Sequence, residues 1–413
     1  MTINRIFSSL LLIALSCTPH VLSSETVTQD QMTDDTSAHF AGELFTIISD
    51  TNKDNVVLSP FGIRNAMGIA GLGAGGETLE EITKAMQLES LEKEFPEIAG
   101  IYAPDKINSG EMENDVSIQL PVKQDLQMFV KKGVKIDDDF LAVAKNIMET
   151  DCEEFGTSQE LLSGFPAVDL DDAKLAILNT IKFSGRWGNP FSSVCSLPFH
   201  LGQDREIQAV FMVNDEPFFA VADFGDYYGF SLGFMKAESS HPDFGMIFIV
   251  PKEIDGVGGI MQDISEGCLP EWIEKICSAE NRRSNKLYLP RFTIDTAFEL
   301  KEYLSLMGIK SAFDETADFS KMSPGTPLRI TNFLHNAKID VDEYGVEASA
   351  ETAVFYGSIG LRRPQTILLD RPFVYLIHDQ SNRQVLFIGR CDNPVNPGTL
   401  VPSDDQQKLS ECL

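Results

Sequence analysis

The sequence predicts one large domain of the mixed α+β class, and three observations lead to this prediction. Helical spacing dominates the N-terminal part of the chain, whereas strand patterns dominate the C-terminal half. The strands do not alternate with helices, which favours large antiparallel sheets over parallel βαβ units. No internal repeat or low-complexity linker divides the 413 residues, and a hydrophobic fraction of 43% is ordinary for a globular protein.

The N-terminus has the pattern of a secretory signal peptide. Arg5 supplies a basic start, and residues 6–15 form an apolar core too short to serve as a membrane anchor. We therefore expect a secreted, extracellular protein. Six cysteines lie beyond this segment, an even number that permits disulfides without fixing their pairing. The predicted layout is a signal peptide over 1–23, an acidic leader over 24–37, the folded domain over 38–397 and a polar tail over 398–413.

The first structural elements of the domain are predicted to be helical. Apolar spacing indicates a helix over 39–48, and a short buried strand follows at 56–58. Ser59 then has the residue type of an N-cap, with Pro60 at the first helical position. Thr78 and Glu81 suggest a capping box for the next helix, and the acidic stretch after it, 89–116, is predicted to be irregular.

Strand patterns recur through the rest of the chain. Residues 122–148 predict a strand, a turn and a helix, and the unbroken apolar run at 175–183 predicts a strand buried on both faces. Further strands are predicted at "FGMIFIVP", "KLYLPRFTI", "AKIDVD", "FVYLIHD" and "QVLFIGR".

The charge of the chain excludes several partners. With 62 acidic and 33 basic residues, the net charge is −29. Such a surface repels nucleic acid and anionic membranes, and it argues against heparin-type polyanions. Neither a zinc motif nor a calcium or nucleotide loop is present, so we expect no metal and no cofactor.

Two enzyme-like motifs do not fit their required contexts. Gly71 to Gly76 matches G-x-G-x-x-G, but a dinucleotide site needs a strand before that motif, and here a helix precedes it. Gly229 to Gly233 matches the G-x-S-x-G elbow around Ser231, with His378 as a conceivable base. That elbow needs a helix directly after it, whereas a polar turn and a strand follow. A catalytic role is therefore not predicted.

A loop near the C-terminus has the pattern of a strand. Gly345, Gly357 and Gly360 mark residues 342–363 as a loop. Every second residue within it is nevertheless small or apolar, and the residues between them are mostly polar. The first set comprises Val346, Ala348, Ala350, Thr352 and Val354, and the second comprises Glu347, Ser349, Glu351 and Ala353.

This loop and its surroundings resemble the serpin family, and the resemblance covers nearly the whole chain in family order. It rests on the stretches "NVVLSPFGI", "GAGGETLEEI", "LAILNTIKFSGRWGNPF", "LHNAKIDVDEYGVEASAETA" and "DRPFVYLIHDQSNRQVLFIGRCDNP". The resemblance implies a serpin fold of three β-sheets and about eight helices in one large domain, with an exposed reactive-centre loop. It also implies a monomeric suicide inhibitor of serine proteases rather than an enzyme. The protease cleaves the loop, becomes acylated, and is trapped when segment 345–358 enters the main sheet.

The resemblance assigns roles to two polar clusters and to the loop hinge. The lower cluster, beneath the point where the sheet opens, is Ser59, Asn179 and His335. The upper cluster, where insertion starts, is Trp187, Arg291 and Glu343, with an expected ion pair between Arg291 and Glu343. The hinge comprises Gly345, Val346, Glu347, Ala348, Ser349, Ala350 and Thr352.

The resemblance leaves the cleaved bond open between two positions. Counting forward from Glu343 places it between Ile359 and Gly360. Counting back from the C-terminal motifs favours Leu361, with Arg362 after the bond. Ile359 is preferred because insertion length constrains the first count more. Ile or Leu implies an elastase-like or chymotrypsin-like target, whereas use of Arg362 implies a trypsin-like one.

The sequence departs from the family pattern in three places. The segment between Phe155 and Leu175 lacks the motifs of a helix that family members carry there. Gly62 replaces a common serine, Val346 stands where Thr or Ser is usual, and Tyr344 stands where a charge is usual. The first departure motivates an alternative, a serpin-shaped binding or carrier protein without inhibitory activity.

Overall fold

Eight α-helices and eighteen strands make up the part of the chain that the computed structural model describes, residues 29–99, 121–148, 151–155, 175–215, 217–236, 243–346 and 365–395. The helices are α1 Gln29–Thr51, α2 Pro60–Leu72, α3 Gly76–Ala85, α4 Leu91–Ala99, α5 Asp138–Met148, α6 Val257–Ser265, α7 Leu269–Cys277 and α8 Lys301–Leu306. No helix in these ranges is long and apolar enough to cross a membrane.

The main sheet has seven strands, and most of the sequence-predicted site residues that the structure describes lie on it or at its end. Its strands are β2 Val122–Lys131, β3 Asp151–Phe155, β4 Leu175–Phe183, β5 Gly185–Arg186, β13 Phe292–Glu299, β14 Ile330–Val341 and β15 Gly345–Val346. Strand β4 pairs antiparallel with β2 and parallel with β14, and β13 pairs along the other edge of β14. The parallel β4–β14 pair at the centre is the place where an extra strand could enter.

Two further sheets complete the fold. The six-stranded sheet runs in the order β1 Val56–Leu58, β18 Val385–Cys391, β17 Phe373–Asp379, β11 Phe244–Pro251, β10 Tyr227–Gly233 and β9 Ala222–Asp223. The five-stranded sheet runs in the order β16 Gln365–Leu368, β12 Arg283–Pro290, β7 Arg205–Asn214 and β6 Ser193–Gly202, with β8 Phe218–Phe219 paired to β12.

Strands β11, β17 and β18 are apolar because both of their faces are covered, and all of their residues are buried. In β4 only one face is fully buried, since on the other Leu178 and Thr180 are partly buried and Lys182 is exposed. One core cluster lies beneath α1 and α2, and a second, rich in phenylalanine, lies between the sheets. A strand at 175–183 is therefore confirmed, but the prediction that both of its faces are buried is wrong.

Both enzyme-like motifs have structural roles in the described chain. Gly73 is the C-cap of α2, so the glycine-rich stretch ends a helix and does not follow a strand. Ser231 lies within β10, opposite Ile247 of β11 in an antiparallel ladder. Neither environment is that of the corresponding enzyme motif.

Several local predictions were wrong. Helix α1 begins at Gln29, ten residues earlier than predicted, so part of the predicted leader is helical. Within it, Ser37 is buried, and its Oγ accepts hydrogen bonds from Gln384 and Val385 of the C-terminal hairpin. Helix α4 occupies part of the stretch predicted to be irregular. The run "KLYLPRFTI" forms two strands, β12 and β13, in different sheets.

The predicted capping box is also absent, because its side chains make tertiary contacts. Gly75, not Thr78, is the N-cap of α3. The Thr78 hydroxyl instead accepts the N–H of Asp318 at 3.0 Å. The Glu81 carboxylate accepts two backbone N–H groups, from Lys310 and Ser311, both at 2.8 Å.

Candidate functional site

The lower cluster joins α2 to the two central strands of the main sheet. Ser59 is the N-cap of α2, where its Oγ accepts the Gly62 N–H at 3.1 Å and donates to the Leu386 carbonyl at 2.5 Å. His335 on β14 lies directly opposite Asn179 on β4. The structure thus brings the three predicted residues of this cluster together, and all three are fully buried.

The hydrogen bonds of His335 determine which ring nitrogen carries the proton. The backbone N–H of Ser59 donates to Nε2 at 3.0 Å, so Nε2 must be unprotonated. Nδ1 then donates to Oδ1 of Asn179 at 2.9 Å. Burial lowers the pKa of His335 to about 3, so the ring is neutral at physiological pH. A neutral ring therefore bridges α2 and β4 from its position on β14.

Gly62 is explained by the position of Asn179. A Cβ at residue 62 would lie 2.7 Å from Oδ1 of Asn179, closer than a carbon and an oxygen can approach without movement. The carbonyl of Gly62 also accepts the side-chain amide of Gln124 at 3.2 Å. The glycine at this position therefore gives the Asn179 amide room beside the helix.

The upper cluster holds the backbone that leads from β14 into the loop. The indole Nε1–H of Trp187 donates to the Asp342 carbonyl at 2.9 Å, and the Trp187 backbone N–H donates to Tyr344 at 2.8 Å. The Arg291 guanidinium pairs with the Glu343 carboxylate. The backbone N–H of Phe191 donates to the Glu343 carbonyl at 3.0 Å. This part of the chain is thus fixed by both main-chain and side-chain contacts.

A tight turn at Asp342–Gly345, the hinge turn, reverses the chain. The Asp342 Oδ1 accepts the N–H groups of Tyr344 at 2.8 Å and Gly345 at 3.0 Å. Burial raises the pKa of the Asp342 carboxyl, although these two donors act in the opposite direction. Gly345 has φ +157°, and a Cβ there would lie 2.0 Å from the Gly185 carbonyl oxygen. Only glycine fits this close approach.

After the hinge turn, the chain has already entered the main sheet. Val346 pairs with Val341 of β14 on one side and with Gly185 of β5 on the other. It is fully buried. Farther down, β4 and β14 pair directly, up to Lys182 and Lys338. Strand β15 therefore occupies the top of the position between the two central strands, antiparallel to both β14 and β5.

Sequence reasoning missed three contributors to this site. Asp342 caps the hinge turn, Phe191 supplies a backbone donor to Glu343, and Gly185 pairs with Val346. An aspartate three residues before a glycine is a signal for a turn of this kind and could have identified the first. The other two depend on contacts between residues far apart in the sequence.

Some predicted site residues lie outside the described residues. They are the hinge residues Glu347, Ala348, Ser349, Ala350 and Thr352, and the candidates for the cleaved bond, Ile359, Gly360, Leu361 and Arg362. The short segment 156–174 also lies outside. Within the described ranges, no group of three or more His, Cys, Asp or Glu side chains converges as a metal site requires.

Comparison with known proteins defines the family. The sequence model of the serpin (serine protease inhibitor) family matches residues 35–160 and 156–394. A serine protease inhibitor from Cyanea capillata is 26% identical over 373 residues, which cover 83% of this chain and 93% of that protein. The chain belongs to the serpin family.

Solved structures agree on the fold. Serpin48 of the insect Tenebrio molitor aligns with a TM-score of 0.73 at 21% identity, over 90% of this chain and all of that one. Human thyroxine-binding globulin in complex with thyroxine aligns with a TM-score of 0.74 at 22% identity, over 89% of this chain and 99% of that one. At this identity the likeness concerns the fold alone, and it confirms the predicted mixed α+β fold with three sheets.

Proposed function

We propose that the protein is a secreted inhibitor that traps serine endopeptidases by cleavage and insertion of its reactive-centre loop. The observation that carries the proposal is the position of Val346, fully buried between β14 and β5. A strand continued from this residue would run down between β14 and β4. Its period of two would place Ala348, Ala350 and Thr352 on the same face as Val346.

New hydrogen bonds in the main sheet would provide the driving force for insertion of the cleaved loop. Insertion exchanges one parallel pairing, between β4 and β14, for two antiparallel ladders on either side of the new strand. Roughly ten additional ladder hydrogen bonds at about 1 kcal/mol each would supply on the order of 10 kcal/mol. This is comparable with the whole stability of a typical domain, so the uncut protein can be metastable.

The lower cluster is the barrier that insertion must pass. The hydrogen bond from His335 to Asn179 crosses from β14 to β4, and the new strand has to separate these two residues. Ser59 ties the same histidine to α2. We infer that the cluster keeps the sheet closed until cleavage releases the loop.

The proposals for the cleaved bond and for the target protease rest on the sequence alone. We propose cleavage after Ile359, with Leu361 and Arg362 as the alternative positions. An aliphatic residue before the bond selects an elastase-like or chymotrypsin-like protease. Secretion follows from the signal-like residues 1–23, and the N-terminal sequence of the exported protein would locate the start of the mature chain.

The direct test is incubation with elastase, chymotrypsin and trypsin. We expect a covalent complex with one of them that survives boiling in detergent, together with loss of its activity. The mass of the released C-terminal fragment would identify the cleaved bond. Cleavage of the loop with the protease left fully active would overturn the proposal.

A second candidate is a binding or carrier protein with a serpin fold. Two observations favour it: the segment between Phe155 and Leu175 lacks the family motifs, and a fold relative is a thyroxine-binding protein. Such a protein need not insert its loop after cleavage. A heat-resistance measurement on cleaved protein, described in the Discussion, separates the two candidates.

A further inference from the structure

A cavity of about 300 Å³ lies beside the upper cluster, where the end of α7, β8 and β10 meet the segment after β5. Four aromatic side chains line it, those of Trp187, Phe191, Phe218 and Phe219. Its volume is at the lower end of the range for small-molecule sites, which are mostly apolar with a few polar groups. The cavity is therefore large enough for one small ring system.

The exposed ring of Phe218 lies at this cavity. It is 60% exposed, one of the few large apolar side chains in the described residues that face solvent. The neighbouring Phe219 is buried and stacks on Phe230, with ring centroids 4.7 Å apart. Exposed aromatic surface at the edge of a concave site is typical of ligand binding.

The charge of the cavity wall is opposite to that of the protein. The chain carries 62 acidic residues, yet none of the described residues that line the cavity is acidic. Arg282, an exposed residue, is the one charged residue among them. Burial raises the pKa of the Cys277 thiol to about 11, so this lining group adds no negative charge at neutral pH.

We propose that this cavity binds a small aromatic anion, a flat ring system that carries one carboxylate or sulfonate. The rings would contact Phe218, and the anionic group would pair with Arg282. Trp187 also lines the cavity, but it is 1% exposed, stacks on Phe234 and donates its indole N–H to Asp342 of the hinge turn. The site is separate from the loop and does not depend on protease inhibition.

The protein contains a natural reporter for this site. Its two tryptophans are Trp187 and Trp272, so the Trp272→Phe protein has Trp187 as its single indole fluorophore. We would titrate the uncut protein with 8-anilinonaphthalene-1-sulfonate and follow quenching of Trp187. The same rings without the sulfonate, N-phenyl-1-naphthylamine, provide the neutral control. Saturable one-to-one quenching, tighter for the sulfonate, is the expected result.

Two variants test the location and the charge. Arg282→Gln should weaken the sulfonate by about fivefold and leave the neutral compound unchanged, because an exposed ion pair contributes up to about that factor. Arg205→Gln, on an exposed residue of β7, is the matched control and should change neither. Ala279→Phe, which fills the cavity, should weaken both compounds at least tenfold.

The outcomes are decisive because folding is checked separately. Far-ultraviolet circular dichroism would show that each variant retains its sheets. Equal affinity of the parent, Arg282→Gln and Ala279→Phe proteins for the sulfonate would overturn the proposal, as would equal affinity of the parent for the two compounds. No protease is present, so a failed inhibition assay would not affect this result.

Discussion

Two buried histidines connect the stability of the protein to pH. His335 bridges the central strands, and His378 lies fully buried on β17. Burial lowers their pKa values from 6.5 to about 3 and about 4. The unfolded chain binds protons below pH 6.5, whereas the folded chain does not bind them until much lower pH. Stability is therefore complete above pH 6.5 and falls as the pH drops below it.

We expect the free energy of unfolding to fall by about 2 kcal/mol per histidine between pH 7 and pH 5, since each pH unit below 6.5 costs about 1.4 kcal/mol. The measurement is urea unfolding at the two pH values. His378→Gln should reduce the pH dependence by about half, while His39→Gln, on an exposed side chain, serves as the control. An unchanged pH dependence in the His378→Gln protein would contradict the assignment.

Gly345 is the residue whose substitution should release the hinge. In the Gly345→Ala protein, the new Cβ would collide with the Gly185 carbonyl, so β15 should leave the sheet. A cysteine at 346 would report this, because Val346 is fully buried. We expect Val346→Cys to react slowly with a thiol reagent and the Gly345→Ala, Val346→Cys protein to react at least tenfold faster. Gly258→Ala with the same cysteine is the control, since a Cβ at 258 meets nothing within 4 Å.

At the scale of elements, the two faces of the inserted strand can be tested with one pair of variants. Ala350 lies an even number of residues after Val346, and Ala353 lies an odd number after it. In the inserted strand the first side chain would enter the core, whereas the second would face the opposite side. Ala350→Glu should therefore prevent trapping, because a buried unpaired charge costs several kcal/mol.

Ala353→Glu changes the same residue type to the same charge and should still trap the protease. The measurement is the number of loop cleavages per covalent complex. We expect a value near that of the parent for Ala353→Glu and at least a tenfold increase for Ala350→Glu. Equal values for the two variants would show that the alternation does not govern insertion.

Elements were predicted best where one short stretch contains its own signal. The cap of α2 needs only Ser59 and Pro60, and it forms as predicted. Helix α3 shows the opposite case. Thr78 and Glu81 match a capping box, but both bind the 310–318 segment, which is far away in the sequence. A local pattern cannot show that a distant backbone offers better donors.

At the scale of the whole molecule, cleavage should change heat resistance. If the cut loop inserts, the gain of about 10 kcal/mol should raise the melting temperature of a domain of this size by about 13 °C. The carrier alternative predicts little change. The measurement is the melting temperature of cut and uncut protein, followed by circular dichroism. The melting temperature of the Ala350→Glu protein should not rise on cleavage. Equal melting temperatures for the cut and uncut parent protein would exclude insertion.

The sequence alone determined the class of fold and the alternation that suits a loop for insertion, because apolar spacing and glycine positions are properties of the chain itself. It also supplied the members of both polar clusters, through resemblance to serpins. Tertiary structure alone decided where the loop joins the sheet. Val346 lies between β14 and β5 because Gly345 has no Cβ to collide with the Gly185 carbonyl and Asp342 caps the hinge turn. That arrangement requires two strands that are far apart in the sequence to come within hydrogen-bonding distance of the hinge, and no local pattern encodes such an approach.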